Sequence, residues 1–278
     1  MPAAYSPSSL SGSSSGSSSE SSFNDRFGGI RRLYGNSAVE QLRQSHVCVI
    51  GIGGVGSWAA EALARTAVGS ITLIDLDDIC VTNTNRQLHA LTDTIGRSKV
   101  EVMAERIARI NPECRCQAIE DFITEDNLQE LITREFDYVL DAIDSFRVKA
   151  ALIAHCKRHK IKIITTGGAG GQMDPTQIQI TDLTKTWHDP LARKVRNQLR
   201  DRHGFSKNSK RKFGVDCVFS TEQAVYPQAD GTICQTKPTG EGPMKMDCAS
   251  GFGAATAVTA TFGFVAAARI IEKLTRAD

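Results

Sequence analysis

Apolar positions recur along this chain in two alternating rhythms. Short runs of β-branched and aliphatic residues at 46–50, 71–74, 116–119, 138–143, 161–166 and 177–181 read as strands. Between them, 37–44, 57–67, 96–110, 125–134 and 146–158 carry helical spacing. The clearest is 96–110, where Val100, Met103, Ile107 and Ile110 share one face and Asn111-Pro112 closes the run. Strands alternating with helices over short loops predict an α/β fold. The architecture expected is a Rossmann-like, doubly wound, mostly parallel sheet with a C-terminal extension and an apolar helix.

The first strand runs into Gly51, Gly53, Gly54 and Gly56, at G-x-G-x-x-G spacing, and a helix follows. Glycines there let backbone approach a phosphate, and the new helix offers free N–H groups and its positive dipole end. The second strand ends at Asp75, 19 residues after Gly56, where a carboxylate can take a ribose hydroxyl. Together these predict a nucleotide site; the alternative is glycines that merely permit tight packing. Ligands of such sheets sit at the carboxyl ends of the strands. Asp141 and Asp144, at the end of the 138–143 run, fall at such an end as well.

Composition changes this picture at both ends of the chain. Residues 1–22 hold twelve serines and one charge, so a disordered tail is expected, with one large α/β domain over 23–278. The tail has neither the pattern of a secretory signal nor the arginines of a transit peptide. Residues 249–268 contain no charge and are long enough to span a bilayer, but are rich in Gly, Ala and Thr. A buried or dimer-interface helix over 249–272 is the expectation, and membrane association the alternative. The net charge is only +2, yet residues 185–212 carry ten Lys or Arg against two acids. That local +8 leaves −6 for the remainder and suits a phosphate backbone, with Arg193, Lys194, Arg196, Arg200, Lys210, Arg211 and Lys212 as the candidate contacts. The alternative for this basic insertion is a solvated face. Eight scattered cysteines without a C-x-x-C predict a reducing, cytoplasmic setting and no zinc. Cys217 and Cys234 are weighed as reactive thiols, against an inert role.

Three features favour triphosphate chemistry over hydride transfer. Asp75 and Asp77 precede Asn85-Arg86-Gln87, a polar loop that can donate to phosphate oxygens. Lys99 opens the 96–110 helix, and Asp144 can share Mg2+ with a nucleotide. These segments, with Gly51–Ser57, Gly96-x-x-Lys99 and Asp141–Asp144, resemble the ubiquitin-activating-enzyme-like superfamily over roughly residues 26–170. Within it, 165–172, 215–220 and 246–253 resemble the branch that dehydrates threonylcarbamoyladenosine in tRNA.

The resemblance implies that MgATP activates the threonyl carboxylate as an acyl-adenylate. The modification's own carbamoyl group then closes a ring and AMP leaves. Asp75 would hold the ribose, Arg86 and Lys99 the phosphates, and Asp144 the magnesium, with Gly51, Gly53, Gly54, Gly56, Asp77 and Asn85 around the nucleotide. It further implies tRNA as partner, a homodimer in which an arm arginine, Arg26, reaches the partner's site, possible use of K+ or Na+, and an association with cysteine-desulfurase systems. The rival reading is an adenylating activator of a small sulfur-carrier or ubiquitin-like protein. A nicotinamide dehydrogenase would leave Arg86, Lys99 and Asp144 without a task, as would a non-enzymatic nucleotide-binding module.

Overall fold

The computed structural model describes residues 15–208, 210–228, 230–236 and 253–276. The order of elements is α1 (Ser15–Tyr34), α2 (Asn36–Gln44), β1 (His46–Ile50), α3 (Gly56–Arg65), β2 (Ser70–Ile74), α4 (Lys99–Ile110), β3 (Arg115–Ile119), α5 (Leu128–Leu131), β4 (Tyr138–Asp141), α6 (Phe146–His159), β5 (Ile163–Thr166), β6 (Ile178–Asp182), α7 (Pro190–Arg202), β7 (Asp216–Ser220), a short pair β8 (Tyr226–Pro227) and β9 (Ile233–Cys234), and α8 (Thr256–Thr275).

Seven strands form one sheet in the order β3-β2-β1-β4-β5-β7-β6, parallel except for the edge strand β6. Side chains alternate across its two faces, as the period of a strand requires. Val47, Val49, Ile71 and Leu73 point to a core shared with α3, α4 and α8. Cys48, Ile50 and Ile74 point to the opposite core, shared with α6 and α7. With both faces covered, the central strands β1, β2, β4 and β5 are buried almost throughout, while the outer β3 and β6 stay partly exposed. The order reverses direction between β1 and β4, so their carboxyl ends open a crevice there.

Helix α8 packs along α3. A Cβ on Gly263 would lie 2.5 Å from the Val55 carbonyl oxygen and 2.9 Å from the Ala59 nitrogen, so only glycine permits the approach. Val258, Phe262, Ala266 and Ile270 fill the core from this helix. The small residues of the C-terminal run thus serve an intramolecular contact.

Several boundaries depart from expectation. The backbone of 15–22 belongs to α1, so the tail expected over 1–22 is helical from Ser15; residues 1–14 lie outside the described residues. The basic arm around Arg26 is the second half of the same helix. The helix expected over 125–134 shrinks to Leu128–Leu131. There the Asn127 side chain accepts from the Thr124 N–H and donates to the Phe122 carbonyl, an alternative to helical bonding. Strand β7 was hidden in a motif whose pattern gives no period. The C-terminal helix spans Thr256–Thr275 rather than 249–272, and residues 249–252 lie outside the described residues. No described helix is long and apolar enough to cross a membrane, so the apolar helix of the expected architecture is corrected to a helix packed on α3, and the alternative of a membrane span finds no support among the described residues.

Candidate active site

The turn after β1 is tight because its glycines leave no room for side chains. A Cβ on Gly56 would sit 1.9 Å from the Gly51 carbonyl oxygen. Asp75, at the end of β2, pins the turn: its Oδ2 accepts from the Ile52 N–H at 2.6 Å, and its Oδ1 from the Asp77 N–H at 2.9 Å. Burial raises the Asp75 pKa, against the opposing pull of Lys99. A carboxylate has about four lone-pair directions, so Asp75 keeps acceptor capacity beside these two bonds.

Lys99 is the first residue of α4 and is buried. Its Nζ lies 2.7 Å from Asp77 Oδ2 and 3.9 Å from Asp75 Oδ1. An ammonium at a helix N-terminus opposes the dipole; the two carboxylates offset that and fix its direction. Arg86 lies over the glycine turn, its Cγ 3.1 Å from where a Gly54 Cβ would be. Its Nη1 donates to the Thr82 carbonyl and to Asn85 Oδ1. Asn85 is tied to the C-terminal region, donating to the Ala254 carbonyl at 2.7 Å, while Thr256 Oγ1 donates to the Asn85 carbonyl. Glycine turn, Arg86 loop and Lys99 therefore converge.

The carboxylate that ends β4 and the one three residues beyond it part company. Asp141 is fully buried against Lys149, Oδ2 to Nζ 2.9 Å, and Thr165 donates to it at 2.7 Å. Lys149 also donates to the Asp141 carbonyl, and Asp141 Oδ1 accepts the Ile143 N–H. This pair shapes the turn that ends in exposed Asp144. Asp144 is thus free for chemistry at the crevice, and Asp141 is not. Among the described residues no three His, Cys, Asp or Glu gather as a metal cluster. A single exposed carboxylate fits a magnesium ion that takes its other oxygens from phosphates and water.

Other expected residues separate. Arg26 donates to the Ile110 carbonyl at the far end of α4 from Lys99, so it does not join this chain's own site. Arg193 and Lys194 are exposed on the first turns of α7, and Lys194 Nζ lies 5.8 Å from the Phe146 ring centroid, two residues beyond Asp144. Arg196 turns inward to Thr186 and the Leu183 carbonyl, and burial lowers its pKa; as a solvent-facing phosphate contact it is corrected. Arg200 is half-buried over the Phe213 ring. Arg211 and Lys212 line a basic cleft of about 510 Å³ with Lys157, Arg158 and His203, and Lys210 is exposed beside them. Helix α7 runs away from the crevice for about 20 Å, so this cleft lies at the opposite edge of the sheet. Cys217 is fully buried and burial pushes its thiol well up, which fits the inert role and not the reactive one. Cys234 is exposed, and the Thr236 N–H lowers its pKa. Cys248 and the rest of 246–252 lie outside the described residues.

Sequence reasoning missed Lys149 and His89. His89 Nε2 lies 2.7 Å from the Ile52 carbonyl, and its Nδ1 and Gln87 Oε1 are buried without partners. Only a three-dimensional neighbour marks them. Burial lowers the His89 pKa to about 4. Its neutral ring therefore contributes stability that is present above the unfolded value of about 6.5 and lost as pH falls towards 4. The loss is about 3 kcal/mol at most at 1.36 kcal/mol per unit. Denaturant titrations from pH 7 to 4 should show this slope, and His89→Gln should flatten it.

The ThiF family model matches residues 29–278. A tRNA threonylcarbamoyladenosine dehydratase of Escherichia coli (strain K12) is 64% identical, over 91% of this chain and 94% of its own. The chain belongs to the ThiF family, among its tRNA threonylcarbamoyladenosine dehydratases. Solved structures of the E. coli dehydratase in complex with ATP and with AMP each share 58% identity and a TM-score of 0.81, covering 91% of this chain and 95% of theirs. The molybdopterin-synthase adenylyltransferase of E. coli, 34% identical, matches only 55% of this chain.

Proposed function

We infer that this protein uses MgATP to dehydrate N6-threonylcarbamoyladenosine in tRNA to its cyclic form. The observation that carries the reading is 64% identity spread over 91% of the chain, well past the nucleotide crevice. The threonyl carboxylate attacks the α-phosphorus of ATP, giving an acyl-adenylate and pyrophosphate. The carbamoyl group of the same substrate then attacks the activated carbonyl, the acyl–oxygen bond breaks, and AMP leaves with one carboxylate oxygen. Because nucleophile and electrophile share one molecule, no protein nucleophile is needed.

The chain's own residues orient and neutralise. The glycine turn brings backbone N–H groups and the α3 dipole to the phosphates. Arg86 and Lys99 bear on phosphate oxygens that gain charge as pyrophosphate departs, a preorganised stabilisation. Asp77, which holds Lys99 in the ligand-free chain, would share that ammonium with a phosphate. Asp75 and Asn85 frame the ribose side, and Asp144 would hold magnesium, which supplies charge neutralisation when bound. A homodimer in which Arg26 enters the partner's crevice accords with its position far from its own, and the cytoplasm is where the reading has it act. Exposed Cys234 keeps one second reading, exchange with a sulfur-relay partner through a loop far in sequence from the crevice.

Pyrophosphate–ATP exchange tests the first step: label should enter ATP only when tRNA bearing threonylcarbamoyladenosine is present. Exchange without that tRNA, but with a small carrier protein, would replace the reading. Charge reversal of Arg193 and Lys194 together should weaken tRNA binding by about tenfold or more and lower the salt slope by roughly two. MgATP affinity should stay unchanged.

A further inference from the structure

An exposed tryptophan on an anchored loop is an unusual use of apolar surface. Trp187 precedes α7 and keeps 46% of its surface exposed, although its ring also packs edge-to-face on the fully buried Phe219, 4.9 Å between centroids. Its neighbours are anchored on both sides. Thr186 is buried and donates to the Leu183 carbonyl, and Arg196 donates to its hydroxyl. His188 takes a left-handed φ of 54°, with its Nδ1 3.0 Å from the Thr221 carbonyl. Asp189 is buried and accepts N–H groups from Gly168, in the loop after β5, and from Ala192 of α7. A strained backbone persists only where its surroundings fix it. The indole is thus held out, not left over.

Its place in the fold gives it a task. Thr221 and Gly168 follow the carboxyl ends of β7 and β5, so Trp187 stands at the crevice edge of the sheet. Strand β4, with Asp144, is two strand positions away, about 10 Å. The half-buried Phe146 ring, two residues beyond Asp144, has the Lys194 and Arg147 side chains over it, and exposed Arg193 neighbours Lys194 on α7. In the same loop after β5, Gln172 is buried with Oε1 unpartnered. An exposed indole with cations on the helices nearby matches single-stranded nucleic acid, whose phosphates meet the charges and whose bases stack on a ring.

We propose that Trp187 is the stacking platform for an unpaired nucleobase next to the modified adenosine, seating the anticodon loop so that the threonyl carboxylate reaches the crevice. This rests on the tRNA reading above. A stacked base is worth about 1–3 kcal/mol, so W187A should bind tRNA about five- to 150-fold more weakly. W187F keeps a ring and should stay within about threefold, while MgATP affinity is unchanged in both.

The protein has two tryptophans, and the fluorescence difference between wild type and W187F isolates Trp187. That difference should fall by about half or more when tRNA bearing threonylcarbamoyladenosine saturates the protein. W187A binding tRNA like wild type, or an unquenched Trp187, overturns the proposal. So does quenching by inorganic polyphosphate, which brings charge without bases, or by concentration alone, which would mark a contact between copies. Wild type failing to bind or convert tRNA would instead remove the functional reading. Wild type converting tRNA while W187A is unaffected removes only this platform.

Discussion

Lys99→Ala is expected to lower AMP formation by about two to three orders of magnitude at saturating MgATP and tRNA. That is the scale measured when one preorganised charge-stabilising donor is lost. Lys99 is a single buried ammonium aimed at the crevice by two carboxylates, 2.7 and 3.9 Å away. Lys99 is only 5% exposed, so little water stands where its ammonium lies. Removal also leaves Asp75 and Asp77 facing each other, so thermal melts must accompany the assay. Lys99→Gln, which keeps volume and a donor, should fold better than the alanine variant yet recover little rate. Asp144→Ala should lose AMP formation to a similar degree with no loss of stability, since Asp144 is exposed. Near-normal AMP release from a folded Lys99→Ala protein would mean that the phosphates lie elsewhere.

The second large effect falls on stability. Lys149→Met should destabilise the fold by about 3–5 kcal/mol, the cost of leaving a buried charge without its partner. Asp141 has no exposure, and Lys149, about 1% exposed, is its counter-charge. The Asp141→Asn, Lys149→Met double variant should recover much of the loss, since paired replacement of a buried ion pair is often near neutral. Urea unfolding of the three variants measures both numbers. Because Lys149 also holds the Asp141 carbonyl, the single variant should loosen the 142–144 turn and raise the requirement for MgATP. A double variant no more stable than the single one would show that the two charges act separately.

The nucleotide crevice was legible because its signals are local. A glycine spacing, an acid at the end of the next strand and a lysine opening a helix are each fixed by position along the chain. The sheet was legible for the same reason: strands buried on both faces read as apolar runs. What escaped depends on partners distant in sequence. Lys149 looks like any helical surface lysine until β4 and β5 close over it. Arg196 and Arg200 count as positive charges in 185–212, but α7 turns them towards Thr186 and Phe213. The same charge count merged two places: Arg193 and Lys194 stand near the crevice, while Arg211 and Lys212 line the cleft at the opposite edge. Strand β7 was missed because five residues containing Asp, Cys and Ser carry no clear period, and only its position between β5 and β6 identifies it. Asn127 shortened α5 through bonds to its own neighbours, a local effect that apolar spacing does not register.

The central claim is that ATP cleavage removes one water from a nucleoside within tRNA. Purified protein is mixed with MgATP and tRNA carrying threonylcarbamoyladenosine, AMP is counted, and the digested nucleosides are weighed by mass spectrometry. The account predicts one AMP per modified adenosine and a nucleoside lighter by one water, with neither product formed on tRNA lacking the modification. AMP released with the nucleoside mass unchanged would contradict it.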